Sequence, residues 1–504
     1  MAPANLPQSL PEAHALIQQL RWQVDQLKKQ LFGPSSDRAD LPESYTTEQT
    51  LLAVFPPPTE PPATQDVVVP AAEDQSQSTP APARPRRRPE IKELEVETQR
   101  IEPAEKVCEH CGKEKCEIGC EKSERLEYIP AKIIRHIIER PRLACSCGQG
   151  KVSIAPLPAA PIEKGLPGPG LLAQVVLSKY EDHNPLYRQQ QQFARLGVQI
   201  PRSTLCDWIE KGAELLQPIA RAIKEQLLAS NYLQVDETPV KLMDPEVRGK
   251  CATGFLWVAG EPGGDVIFEF KPRRNKECAL ELLGGFSGYL QRDGYGVYGS
   301  IVQDRPDLIA VGCLAHGRRK FVEALPDEPK EAEWFVHEIR KLYVIEQHAR
   351  DQQMTHAQRH ELRQQLAVPI WAAMTLRLEE LQQKQPFLPK SPMGKALSYA
   401  AAEWKAWQVY LTNGALEIDN NLTENAIRPS AVGKKNWLFI GHPEAGWRSA
   451  VLYTILVSCR RRGIDTWEYL RDVFERLPSA TNQQIQNFVP ARWKELREAK
   501  KKPA

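Results

Sequence analysis

The chain has 504 residues, a formal net charge of +2 and eleven cysteines. That length is too great for one hydrophobic core and implies about two to four modules. With no apolar run of about 18 residues and no leader-like start, neither a membrane-spanning helix nor secretion is expected. A soluble, cytoplasmic chain is expected, its cysteines reduced thiols or metal ligands and not disulfides. The near-zero net charge says nothing about partners. Basic residues nevertheless cluster at Arg84 with Arg86 to Arg88, at Arg318 to Lys320, at Lys434 and Lys435, and at Arg460 to Arg462. Each such cluster alone is ordinarily a solvated face.

Residues 8–32 read as a coiled-coil helix. Leu10, Ile17, Val24 and Leu31 recur every seven residues, with Ala13, Leu20 and Leu27 three positions after the first three. Gly33 and Pro34 end the pattern, and an amphipathic helix packed on its own chain is the alternative. Residues 33–90 form a Pro-rich linker with too few large apolar side chains to offset chain entropy.

A zinc module is expected over residues 100–152. Cys108 and Cys111 form C-x-x-C before Gly112, and Cys145 and Cys147 form C-x-C before Gly148. Two thiolate pairs on two turns give the closed tetrahedral site of structural Zn²⁺. His110, Cys116 and Cys120 remain as substitute ligands.

Residues 165–228 read as helices joined by a glycine-containing turn, with Pro185 at one start, Gly197 at one end, and Ser203 or Thr204 as a cap. This matches a helix-turn-helix, in which Arg202, Ser203 and Thr204 face DNA; ordinary helical packing reads the same way.

From about Asn231 the pattern becomes strands. V-D-E-T at 235–238 lies on the first of three strands in a meander, followed by a helix at 276–283, a strand carrying Asp293, and a strand at 308–314. A mixed sheet with an acid on its first and fourth strands is the layout of a ribonuclease-H-like core, here spanning 231–450. A charged helical insertion occupies about 327–412, and a C-terminal helical element follows at 451–497. The expected class is therefore multidomain α/β: a ribonuclease-H-like mixed-sheet catalytic core with a helical insertion, preceded by coiled coil, zinc module and helix-turn-helix.

Three carboxylate-bearing strings stand out: V-D-E-T, R-D-G-Y at 292–295, and D-N-N-L-T-E-N-A-I-R at 419–428. In the last, Asn420 and Asn421 are candidate caps of a helix on which Glu424 and Arg428 share one face, a surface ion pair being the plain reading. Converging carboxylates hold hard divalent cations, and two such ions activate one oxygen and stabilise the leaving oxygen of a phosphodiester. Spacing alone leaves Glu237, Glu417 and Asp419 as rivals to Asp236, Asp293 and Glu424. His316, Arg318, Arg319 and Lys320 after a core strand, and Arg428, Lys434 and Lys435 near the third acid, are candidate phosphate contacts. A structural hydrogen bond suits His316 nearly as well, and Trp437 and Trp447 read as packing residues before base-stacking ones.

With C-L-A-H-G-R-R-K-F at 313–321 and K-K-N-W-L-F-I-G at 434–441, these strings resemble the insertion-sequence-sixty-six (IS66-type) family of bacterial transposases. The module order and the C-terminal I-D-T-W-E-Y-L-R-D-V-F and V-P-A-R-W extend the resemblance over nearly the whole chain. The resemblance implies that Asp236, Asp293 and Glu424 are DDE ligands of Mg²⁺ or Mn²⁺. It further implies cleavage and joining of DNA, with terminal repeats and target DNA as partners. A homo-oligomer and small companion proteins of the same element are also expected. Two other readings stand beside it: a catalytically silent DNA-binding regulator, and a ribonuclease-H-like nuclease or resolvase.

Overall fold

The computed structural model describes residues 54, 133–143, 153–247 and 250–501. The chain divides into two compact units, one of residues 1–57 with 137–504 and one of 58–136. Only residues 133–136 of the second are described, and every helix and strand named here belongs to the first. The expected coiled coil, nearly all of the linker, and all candidate zinc ligands lie outside the described residues.

A two-residue antiparallel ribbon, β1 (Arg142–Leu143) with β2 (Ser153–Ile154), precedes three helices. These are α1 (Pro169–Tyr180), α2 (Leu186–Arg195) and α3 (Arg202–Leu228). Pro185 is the N-cap of α2. Gly197 takes a φ of 86° between α2 and α3, a conformation that costs glycine little. The residue capping α3 is Pro201, without a side-chain bond, and not Ser203 or Thr204. Proline's fixed φ suits a helix start, but its ring offers no acceptor to the first-turn N–H groups, so the side-chain cap bond expected of a hydroxyl is not made.

The sheet comprises β3 (Tyr232–Leu242), β4 (Ala252–Gly260), β5 (Val266–Lys271), β6 (Gly288–Arg292) and β7 (Leu308–Gly312). Their spatial order is β5-β4-β3-β6-β7. The β3–β4 and β4–β5 pairs are antiparallel, while β3–β6 and β6–β7 are parallel. Helices α4 (Lys276–Leu283) and α5 (Gly296–Asp304) supply the crossovers that parallel pairing requires.

After β7 come α6 (Leu314–Ala324), then α7 (Pro329–Asp351), α8 (His356–Leu362), α9 (Val368–Lys384) and α10 (Pro392–Gln408). Their apolar faces close on each other: Phe321 stacks on Phe335 at 4.4 Å, and Trp371 meets Trp404 edge-on at 5.1 Å. The bundle seats on the sheet through Trp407, whose indole would stand 2.4 Å from a Cβ added at Gly312 or Gly317. Only glycine permits that approach.

The chain then returns to the sheet as α11 (Asn421–Trp437), α12 (Gly446–Arg461), α13 (Thr466–Arg476) and α14 (Pro490–Lys501). Helix α12 covers the open edge of the sheet. Val266 N–H donates to Ser458 Oγ at 3.1 Å and Phe268 N–H to Thr454 Oγ1 at 2.9 Å. Edge donors of β5 are thereby satisfied, which removes a template for unwanted strand pairing. No helix among the described residues is long and apolar enough to cross a membrane.

Candidate active site

Two strands carry the same five-residue word, Tyr-Leu-Gln-x-Asp: residues 232–236 on β3, and 289–293 on and just past β6. The parallel register sets Tyr232 against Tyr289, Leu233 against Leu290 and Gln234 against Gln291. Side chains alternate faces along a strand and neighbouring strands lie about 4.8 Å apart. Asp236 and Asp293, each two residues beyond its glutamine, therefore come level at one end of the parallel pair and on one face.

Glu424 joins them from α11, and buried polar side chains fix its approach. Gln234 Nε2 donates to Gln291 Oε1 at 2.7 Å and to Asp419 O at 3.1 Å. Gln291 Nε2 donates to Glu417 O at 2.9 Å. Asn420 Nδ2 donates to Val235 O at 2.8 Å, and Thr423 Oγ1 to Gln234 Oε1 at 3.1 Å. The strand residues beside Asp236 and Asp293 thus hold the loop from which Glu424 rises. Asn420 is the N-cap of α11, as expected, but its side chain is spent on the sheet and makes no cap bond.

Asp236 feels all its neighbours. Burial is the largest cause, and the charges of Glu237, Glu424 and Asp293 add to it, raising its carboxyl to about 8. Like charges near one another disfavour ionisation. Asp293 is held by Tyr295, whose N–H donates to Oδ1 at 3.0 Å. Gly294 beside it admits Tyr399 of α10, the ring of which would lie 2.4 Å from any Cβ there. Arg292 pairs with Glu403 of the same helix and donates to Asp293 O at 2.9 Å. The helical bundle therefore braces the second aspartate.

Glu424 Oε1 lies 3.7 Å from His316 Nδ1, and neither atom has a hydrogen-bond partner. Glu424 meets His316 here, rather than the Arg428 partner of the plain reading. Cys313 Sγ, His316 and Glu424 offer donor atoms within 4.8 Å of one another. The Cys313 thiol, however, is pushed up by burial and accepts Asn420 N–H at 3.3 Å. In this fold its sulfur accepts a backbone hydrogen bond at the start of α11.

The rival acids are otherwise engaged. Glu237 accepts from Arg274 and from Tyr298 Oη at 2.9 Å. Glu417 accepts from Arg359 at 2.7 Å, and Asp419 from Tyr343 Oη at 2.8 Å. Arg274, not anticipated from sequence, stacks 3.6 Å over the Tyr295 ring and lies 4.0 Å from Asp293 Oδ2.

The other candidates scatter. Arg202 and Ser203 are exposed at the start of α3 and Thr204 is half-buried. On α6, Arg318 is half-buried, Arg319 exposed, and Lys320 pairs with Glu323 at 2.8 Å. On α11, Arg428 and Lys435 are exposed, while Lys434 donates to Pro239 O at 3.0 Å. Of the candidate basic residues, His316 stands against Glu424 of the trio.

The chain thus has a mixed α/β sheet with three acids brought together beside it, and sequence comparison says which proteins it is similar to. The profile described as "Transposase IS66 family" matches residues 164–448. That described as "zinc-finger binding domain of transposase IS66" matches residues 105–148, the segment holding Cys108, Cys111, Cys145 and Cys147. Among curated relatives from Sinorhizobium fredii (strain NBRC 101917 / NGR234), "Uncharacterized protein y4jD" is 30% identical, covering 97% of this chain and 97% of its own. "Uncharacterized protein y4qI" is 33% identical over 78% of this chain and 75% of its own. The chain belongs to the IS66 family of transposases.

Proposed function

We propose that this chain is a DNA transposase that cuts at the ends of its element and joins the freed 3′-OH to target DNA. The carrying observation is the pair of in-register Tyr-Leu-Gln-x-Asp words with Glu424 set beside them. The sheet order, antiparallel on one side of β3 and parallel on the other, supports a ribonuclease-H-like core.

Asp236, Asp293 and Glu424 would hold divalent cations. The fit is chemical: an all-oxygen set suits hard ions such as Mg²⁺ or Mn²⁺, and Glu424 Oε1 has no hydrogen-bond partner. When bound, such ions supply Lewis-acid activation of the attacking oxygen and charge stabilisation at the leaving one. The chain's own residues supply placement. Gln234, Gln291 and Asn420 fix the three acids relative to each other, and Arg274 stands where a phosphate oxygen between the aspartates would meet a guanidinium. His316, 3.7 Å from Glu424 Oε1, would contact a phosphate bound there. Arg202, Ser203 and Thr204 of a helix-turn-helix read the element end, and Arg318, Arg319, Lys320, Arg428, Lys434 and Lys435 contact phosphates. Cys108, Cys111, Cys145 and Cys147 hold structural Zn²⁺ within the profile-matched segment.

Incubation with Mg²⁺ and labelled terminal repeats tests the reading. Strand joining by the native chain, abolished in Asp293→Ala while the ends remain bound, is expected. Binding without nicking, or cutting of branched junctions without joining, would replace it with the regulator or the nuclease.

A further inference from the structure

The K-K-N-W-L-F-I-G segment contributes no side chain to the acid trio, yet its backbone holds a non-glycine residue at positive φ. Leu438 has a φ of 66° and is 59% exposed, and the adjacent Phe439 is 40% exposed. A branched side chain held at positive φ is strained, and such strain persists only where the surroundings enforce it. They do so here. Leu438 N–H closes on Lys434 O at 3.0 Å, while Ile440 bridges to the end of β3, taking Lys241 O at 2.8 Å and giving its carbonyl to Met243 N–H at 2.9 Å. The result is a hydrogen-bonded tip presenting two large apolar side chains to solvent, three residues after Lys435.

Beside the tip lies a cavity of about 290 Å³ whose wall includes Trp437, Phe439, Lys179, Cys206, His442 and Arg448. This is near the lower bound, roughly 300 Å³, for small-molecule sites, suited to one planar ring system and not to a dinucleotide. A lining of Tyr180, Trp437 and Phe439 together with Lys179 and Arg448, the latter paired with Glu210 at 2.5 Å, matches an unstacked base and its phosphate. The exposed side of α11, bearing Asn425, Arg428 and Lys435, runs from Glu424 to this tip. At about 1.5 Å of helix rise per residue, Leu438 stands about 21 Å from Glu424, the length of about six base-pair steps.

We propose that Leu438 and Phe439 form a wedge that unstacks one base pair of the element-end DNA, and that the Trp437–Phe439 cavity receives the displaced base. Apolar wedges that open base steps are an established device in DNA deformation. The proposal rests on the transposase reading and adds a recognition site remote from the acids.

The test uses the full chain in Ca²⁺, with duplexes carrying the terminal repeat that flanks the coding segment. An A·T pair is walked through successive positions, and thymines on both strands are probed with permanganate. A displaced thymine, or the thymine orphaned by a displaced adenine, gains reactivity; one position about six base pairs from the cleaved phosphate is expected to do so. Leu438→Gly, which relieves the positive-φ strain and so keeps the fold, should abolish that reactivity while the unmodified duplex stays bound. Phe439→Ser should weaken it. Bound duplex with uniformly unreactive thymines, or reactivity unchanged in Leu438→Gly, overturns the wedge and leaves the transposase reading standing. Failure of the native chain to bind the repeats at all overturns both.

Discussion

Gln234 and Gln291, at equivalent positions of adjacent parallel strands, are joined side chain to side chain by a 2.7 Å hydrogen bond. Each is fully buried, and each also holds a carbonyl of the 417–419 loop. The strand bearing each aspartate is thus hydrogen-bonded to the segment that launches Glu424. Two amides accordingly do for the site what no pairing of backbone ladders could do: they register a helix against two strands.

Replacing Gln291 by Ala removes the donor to Glu417 O and the partner of Gln234. Leaving such buried groups unpaired costs about 1–3 kcal/mol. Urea unfolding should show a loss of that size. Strand cleavage should fall through its maximal rate and require more Mg²⁺, with element-end affinity retained. A variant with native stability and native metal dependence would remove the amides from any positioning role.

Burial and surrounding carboxylates raise Asp236 to about 8, against about 3.9 in an unfolded chain. Between those values the metal-free fold retains a proton that the unfolded chain has released, so its stability is fully present below about 4 and declines as pH rises toward about 8. Divalent-ion binding expels that proton, so apparent Mg²⁺ affinity should climb through the same interval and level off above it. Asp236→Asn mimics the protonated group permanently. It should raise the metal-free melting temperature by a few degrees near pH 8, flatten the pH dependence and abolish cleavage. A melting temperature that rises with pH in the native chain but not in Asp236→Asn would refute the sign.

A second buried network holds the same loop from the helical bundle. Burial alone would raise Glu346, but Arg363 and Arg359 outweigh it and keep the carboxyl below its usual range. Arg363, fully buried, also donates to Tyr410 O at 2.7 Å and Leu416 O at 2.8 Å. Breaking one member of a buried ionic network costs about 3–5 kcal/mol. Arg363→Ala should lose that much in chemical denaturation; a loss near zero would mean the loop is held by packing alone.

Zinc bears on a part of the chain distant in sequence from the acids. Elemental analysis should find Zn²⁺ in the native chain and a reduced content in Cys108→Ser and Cys147→Ser. Equal zinc in both variants would show that the ligands are other residues of the module.

Much of the core was legible because its signals are local. Alternation of apolar residues with turn-forming E-P-G-G marked the meander, and helix α4 has the bounds that its periodicity predicts. Boundaries shifted where tertiary contacts decide: Asp293 lies one residue beyond β6, and the strand expected at 308–314 ends at Gly312, with α6 starting at Leu314. The glutamine pair was missed although Tyr-Leu-Gln-x-Asp occurs twice, because polar residues inside strands read as weak positions until the register pairs them. Arg274 carried no sequence signal, since its role depends on a stacking contact with a tyrosine on another segment.

The most direct test of the central claim is anomalous scattering from crystals of the chain containing Mn²⁺. Density peaks bounded by Asp236, Asp293 and Glu424 are predicted, and they should vanish in Asp236→Ala. Mn²⁺ bound elsewhere, with those three side chains directed at separate surroundings, would contradict the assignment of the cutting and joining chemistry to this site.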